Sequence, residues 1–320
     1  MNTIQTIPWR VAVLGAGALG CAIGGVLAEA GHRVWLVNRN AAHVQAMQER
    51  GLILRDADVD RSVKVNAVRT AAEIGETMDL VIVLVKSFHT REVMASALNL
   101  LGPDTAVVSL QNGLGHEDIL TELAGRERVL AGKTYVGGTM LAPGHVLVGT
   151  RGKETIVGEL DGQLSERVQD IAAKFSAAGL QTTASTNILG TMWDKLFINV
   201  ATGALSTLTR QTYGVMYQIP ELEACAIAAV AEAMAVARAS GAGRARVSGD
   251  RRRPLVFSAH SSCADRADRR LPRAALRGEL RRCLRRAAQR PGVAAPRALR
   301  TGSAGRDARA LVALLERVRR

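Results

Sequence analysis

The residues best placed to do chemistry begin with three glycines, Gly15, Gly17 and Gly20, in the run GAGALG. This is a complete GxGxxG spacing, and what it offers a ligand is main chain rather than side chain. Gly15 permits a tight turn, Gly17 lets the backbone approach a pyrophosphate, and Gly20 lets the following helix pack close to its strand. With Ala16, Ala18 and Leu19 filling the turn, the phosphates would rest on amide groups at the positive end of a helix. At the end of the next apolar run stand Asn38 and Arg39, where an NAD-preferring site carries an acid that accepts from the ribose 2′-hydroxyl. An arginine can instead pair bidentately with a 2′-phosphate, and no carboxylate is expected there to repel it, so NADP(H) is expected. A plain surface arginine at a strand end is the alternative. Lys86 ends DLVIVLVK and Asn112 sits in QNGLG, positions from which a cofactor phosphate, ribose or nicotinamide could be reached. Both could equally be strand terminators. Finally, Lys195 and Asn199 are four apart in TMWDKLFINVATGALSTLTR, so they share one face of a helix. That pair is either a solvated stripe or a functional pair.

The elements that would carry these residues follow from periodicity. RVAVLGAGALGCAIGGVLAEAGHRVWLVNR reads as strand, glycine turn, small-residue helix, glycine stop and second strand, one βαβ unit. LILR, DLVIVLV and TAVVSL are further strand candidates, with helical stretches such as AAHVQAMQER between them. Alternating strands and helices imply an α/β fold with a Rossmann-type doubly wound sheet. From about residue 129 short glycine-punctuated strands suggest an antiparallel extension. After TTASTNILG the strand signals stop and long apolar helices begin. The expected organisation is therefore a dinucleotide-binding domain over 1–186, a mainly α-helical C-terminal domain over 187–243, and a separate tail over 244–320.

Composition bounds the rest. A chain of 320 residues with 48% hydrophobic content can bury a sizeable core. The start MNTIQTIPWR lacks the pattern of a signal peptide, and no run is long and apolar enough to span a membrane, so a cytoplasmic location is expected. The 4 cysteines form no CxxC pair, and the 6 histidines show no metal-ligand spacing, so no metal is expected. The net charge of +13 is concentrated at one end: residues 244–320 hold 22 arginines, no lysine and 6 acids. This segment lacks the interleaved aromatics of a nucleic-acid-binding arm. Its arginine pairs read instead as a GC-rich gene translated out of frame from about residue 243, a hypothesis that fails if the shifted frame encodes no family-like motif.

The motifs GAGALG, VLVKS, SLQNGLG, PGHVLVG and WDKLFINVATGALSTL, in this order, resemble the ketopantoate reductase (2-dehydropantoate 2-reductase) family over about residues 10–242. The resemblance implies NADPH-dependent reduction of 2-dehydropantoate to (R)-pantoate in pantothenate and coenzyme A synthesis. It implies that residues 15 to 20 hold the pyrophosphate, Arg39 the 2′-phosphate and Lys86 the cofactor, with Asn112 touching cofactor and substrate. Lys195 matches the catalytic lysine and Asn199 a substrate-binding asparagine. The chemistry agrees, since hydride transfer to a ketone builds negative charge on its oxygen, which a cationic acid such as Lys195 can protonate. Members of the family often form homodimers. Where the family commonly places a second asparagine this chain has Gly203, and Tyr213 differs from the residue type expected there. The family's closing serine motif and acid are not matched after Ala242, and Ser262 stands in unrelated surroundings. Two alternatives follow: a related 2-keto or 3-hydroxy acid dehydrogenase, or a non-catalytic NADP-binding protein.

Overall fold

Val11 and Val13 pack on one side of the main sheet while Ala12 and Leu14 pack on the other, which is why VAVL, residues 11–14, is apolar throughout. The computed structural model describes residues 8–240. In chain order, β1 (Arg10–Leu14), α1 (Ala18–Glu29) and β2 (Arg33–Val37) form the opening unit, followed by α2 (Ala41–Arg50). A hairpin of β3 (Leu52–Asp56) and β4 (Val59–Val63) precedes β5 (Asn66–Val68) and β6 (Met78–Val83). Next come α3 (Thr90–Ala95), β7 (Leu101–Ser109), α4 (His116–Ala124) and β8 (Val129–Thr134). A second hairpin, β9 (Gly137–Ala142) and β10 (His145–Gly149), leads to β11 (Thr155–Glu159), α5 (Glu166–Ala177) and β12 (Thr182–Ala184). Three helices follow: α6 (Ile188–Thr209), α7 (Tyr213–Met216) and α8 (Pro220–Ala239).

The main sheet has 8 strands in the order β12-β11-β8-β7-β6-β1-β2-β5. All neighbours are parallel except β8 and β11, which are antiparallel. The order reverses between β1 and β6, the switch point outside which ligands bind in doubly wound sheets.

One strand candidate sits elsewhere than its alternation suggests. LILR, expected in the doubly wound sheet, lies in a second sheet of 4 strands ordered β4-β3-β10-β9. Its parallel pairing of β3 with β10 joins two hairpins far apart in sequence. Burial explains the placement, because Leu52 and Leu54 of β3 and Val146 of β10 are fully buried and share a core with α1 and the main sheet. The small residues of α1 make this close approach feasible: a Cβ on Gly24 would lie 2.6 Å from Leu36, and one on Gly25 2.8 Å from Leu52. The opposite face of the main sheet packs on α3 and α4 through Met94, Leu120 and Ala124.

The chain divides into two units, one ending at Met192 and the other beginning at Trp193. In the second, Ala201 and Leu205 of α6 pack with Met216 of α7 and with Leu222, Cys225, Ala226 and Val230 of α8. Trp193 and Phe197, one turn apart on α6, bring their rings to 5.8 Å. Pro220 opens α8, with Glu221 and Glu223 in its first turn and Arg238 in its last, charges that complement the helix dipole. Among the described residues no helix is long and apolar enough to cross a membrane. The arginine-rich segment from residue 244, with Ser262, lies outside the described residues.

Candidate functional site

The turn after β1 is built from main-chain bonds. The amides of Gly15 and Ala16 both donate to the carbonyl of Val37, at 3.2 and 2.9 Å, and the Gly17 amide donates to Gly15 O at 2.8 Å. Gly15 has φ +99, which L side chains rarely adopt, and a Cβ there would sit 2.6 Å from the amide nitrogen of Val85. A Cβ on Gly20 would lie 2.4 Å from Gly15 O. A Cβ on Gly17 would meet nothing within 4 Å, so room is open above its backbone. Gly17 caps α1 without a side chain, and the first intrahelical bond runs from the Cys21 amide to Gly17 O at 2.8 Å. The amides of Ala18, Leu19 and Gly20 therefore have no acceptor within the helix. A dinucleotide pyrophosphate fits this cradle, since it supplies the acceptors those amides require.

Three donors converge on the Ala16 carbonyl: Asn38 Nδ2 at 2.6 Å, His43 Nε2 at 3.1 Å and Cys21 Sγ at 3.3 Å. The Gly144 amide, from the β9–β10 turn, donates to His43 Nδ1 at 2.9 Å. His43 is thus a neutral ring with its proton on Nε2. Burial pushes its pKa down, and the bond to Ala16 opposes this only in part. Burial also pushes the Cys21 thiol up to about 12, so the 3.4 Å contact between Cys21 and His43 joins two neutral groups and is no reactive thiolate pair. Asn38, read from sequence as standing where an acid would, turns back to hold the glycine turn.

Arg39 extends from the end of β2 with its side chain 66% exposed. Its Nη2 lies 3.2 Å from His89 Nε2 and its Nη1 3.6 Å from Glu92 Oε1. His89 Nδ1 in turn lies 3.1 Å from Glu92 Oε2. The expectation that no carboxylate stands at Arg39 is corrected here, because α3 brings Glu92 to it in space.

Lys86 is exposed in the loop after β6, and its carbonyl accepts from the His89 amide at 2.8 Å. Asn112 is exposed after β7, and its carbonyl lies 3.0 Å from His116 Nε2. Gln111 ties these two loops together, its Nε2 donating to Val85 O at 2.7 Å and to Thr90 Oγ1 at 2.9 Å. The glycine turn, Arg39, Lys86 and Asn112 therefore all stand at the carboxyl ends of adjacent strands β1, β2, β6 and β7. Sequence reasoning missed Gln111, His43 and His116. Gln111 lay inside the QNGLG run, whereas the other two carried no local signal.

In the second unit, Lys195 and Asn199 are both half-buried and one turn apart on α6. One turn further, a Cβ on Gly203 would meet nothing within 4 Å. The neighbouring Thr202 is buried, its hydroxyl donating to Ile198 O at 2.7 Å. Tyr213 is 54% exposed at the start of α7. Among the described residues no group of three or more His, Cys, Asp or Glu could hold a metal ion.

A glycine turn of this geometry at the switch point of a doubly wound sheet, followed by a helical unit, defines the class of nicotinamide-dependent oxidoreductases. Comparison with known proteins narrows it. The family model for ketopantoate reductase PanE/ApbA matches residues 11–162, and that for its C-terminal part matches residues 187–298. A 2-dehydropantoate 2-reductase of Halobacterium salinarum is 35% identical over 235 residues, 72% of this chain and 76% of that protein. The crystal structure of a PanE/ApbA family ketopantoate reductase from Ralstonia eutropha JMP134 superposes with a TM-score of 0.68 at 32% identity, covering 97% of this chain and 98% of the other. D-mandelate dehydrogenase, solved with NADH and anilino(oxo)acetate, gives a TM-score of 0.69 at 25% identity over 74% of this chain and 77% of that one. The chain belongs to the ketopantoate reductase family.

Proposed function

We propose that this chain reduces 2-dehydropantoate to (R)-pantoate with NADPH, and that Lys195 is the proton donor. The observation that carries the reading is the pairing of an ammonium and an amide on one half-buried face of α6, in a chain of this family. The turn from Gly15 to Gly20, with Ala16, Ala18 and Leu19, would hold the cofactor pyrophosphate through its amides. Arg39 would take the 2′-phosphate, while Lys86 and Asn112 would hold the ribose and nicotinamide portions. NADPH, when bound, supplies the hydride. Lys195 neutralises the negative charge that grows on the ketone oxygen and passes its proton there. Asn199 orients the substrate carboxylate or hydroxyl through its amide, and Asn112 contributes a second polar contact to the substrate. The buried reduced thiols Cys21 and Cys225 suit work in the cytoplasm.

The test is NADPH oxidation with 2-dehydropantoate and a panel of other 2-keto acids, comparing the full chain with Lys195→Ala. General acid catalysis is worth about a hundredfold to ten-thousandfold, so kcat should fall by that factor while cofactor affinity is unchanged. Equal rates in the two proteins would remove Lys195 from the mechanism. Preference for another keto acid would reassign the substrate, and cofactor binding without turnover would leave a nucleotide-binding protein.

A further inference from the structure

We propose that His89 and Glu92 set the cofactor preference at Arg39, and that the preference moves with pH. The inference rests on the reading that Arg39 faces the adenosine ribose. Its basis is the ring of three side chains at the end of β2. A carboxylate can only accept, so the 3.1 Å contact between Glu92 Oε2 and His89 places a proton on Nδ1. A guanidinium can only donate, so the 3.2 Å contact from Arg39 Nη2 finds a lone pair on Nε2. His89 is therefore neutral in this arrangement. The 3.6 Å approach of Arg39 Nη1 to Glu92 Oε1 closes the ring, whose net charge is zero.

Such a ring suits a 2′-phosphate less well than a lone guanidinium would, because the phosphate carries about −1.5 to −2 charges near neutral pH and would meet the Glu92 carboxylate. It does suit a 2′-hydroxyl, to which Glu92 offers an acceptor and Arg39 a donor. Protonation of His89 reverses this. Nε2 then carries a hydrogen toward Arg39, two donors face each other, and their contact must open. The His89 cation holds Glu92 through Nδ1, which releases the guanidinium to the solvent side with a net charge of +1 for the group. Among the described residues, the charged groups in contact with the His89 ring are Arg39 from the end of β2 and Glu92 from α3. The Phe88 ring lies beside it at 4.5 Å. Protonation of the ring thus shifts the preference between the two dinucleotides, with NADPH gaining as pH falls.

The experiment is calorimetric measurement of dissociation constants for NADP⁺ and NAD⁺, both stable in acid, on the full chain at about pH 6 and about pH 8. Binding requires no turnover, so the result stands apart from the substrate assignment. In the wild type the preference for NADP⁺ over NAD⁺ should rise about fivefold from the higher to the lower pH, the size of one unit-charge interaction at about 4 Å in water. His89→Gln keeps a neutral hydrogen-bonding side chain and should remove that rise. The protonation of the 2′-phosphate itself enters both proteins alike and cancels in the comparison. Glu92→Gln should raise the preference about fivefold at pH 8. An identical pH slope in wild type and His89→Gln, or no change in Glu92→Gln, overturns the inference. Arg39→Ala separates the two readings: if it leaves the preference intact, Arg39 does not face the ribose and both fall. If it abolishes the preference while His89→Gln changes nothing, only the role of His89 falls.

Discussion

The glycine turn and the Arg39 ring, both proposed to meet the cofactor, are built in opposite ways. At the turn the ligand-facing groups are backbone amides, and the peptide that carries them is fixed by Asn38, His43 and Cys21 on a single buried carbonyl. At Arg39 the groups are exposed side chains that satisfy one another. The first arrangement cannot adapt, so on the proposed reading it would grip any dinucleotide through the pyrophosphate common to all of them. The second can rearrange at low cost, so on the proposed reading it would be where one dinucleotide is told from another. Fixed backbone gives affinity and adjustable side chains give discrimination.

Three substitutions would break or sharpen this contrast. The largest effect belongs to Gly20→Val, whose Cβ would fall on Gly15 O at 2.4 Å, a backbone atom that cannot step aside. Overpacking against main chain should weaken NADP⁺ and NAD⁺ alike by about a hundredfold, and unequal losses would blur the division between turn and ring. Arg39→Ala comes next: loss of a charge-assisted contact should weaken NADP⁺ by about tenfold and leave NAD⁺ within about twofold, as titration of each would reveal. The smallest effect is on stability in acid. His43 has its pKa lowered by burial, so above about pH 6.5 both folded and unfolded chains carry it neutral and its stability is fully present. As pH falls toward the depressed folded value, only the unfolded chain takes up the proton, and stability is lost. His32, depressed by burial and then by Lys174, acts in the same window, so the measurement is the difference in Tm between wild type and His43→Leu. The variant should start lower, because Gly144 and Ala16 lose their partner, and should decline less steeply between about pH 6.5 and 5. Parallel curves would assign the acid sensitivity elsewhere.

How much of this was readable in the sequence depends on how local each feature is. GAGALG between two apolar runs identifies the turn because strand, loop and helix are consecutive and the glycines act at their own positions. Lys195 and Asn199 could be placed on one face because a single helix fixes that geometry. The support of the turn was not readable, because His43 meets Gly144 across 101 residues and no spacing rule connects them. The carboxylate beside Arg39 was missed for the same reason, since only the packing of α3 brings Glu92 to the end of β2. LILR was read as a strand from its apolar pattern, but its partner β10 is set by the core beneath Leu52 and Leu54, and periodicity carries no information about partners.

The bond from the Gly144 amide to His43 has a consequence for how freely the chain can vary. Turns that join two strands of a hairpin ordinarily absorb added or deleted residues with little effect. Here one extra residue after Pro143 would withdraw the hydrogen that selects the tautomer of His43, and with it one of the anchors of Ala16. A change of loop length in the minor sheet would thus be felt as a loosened grip on nucleotide, with every residue that touches the nucleotide still in place.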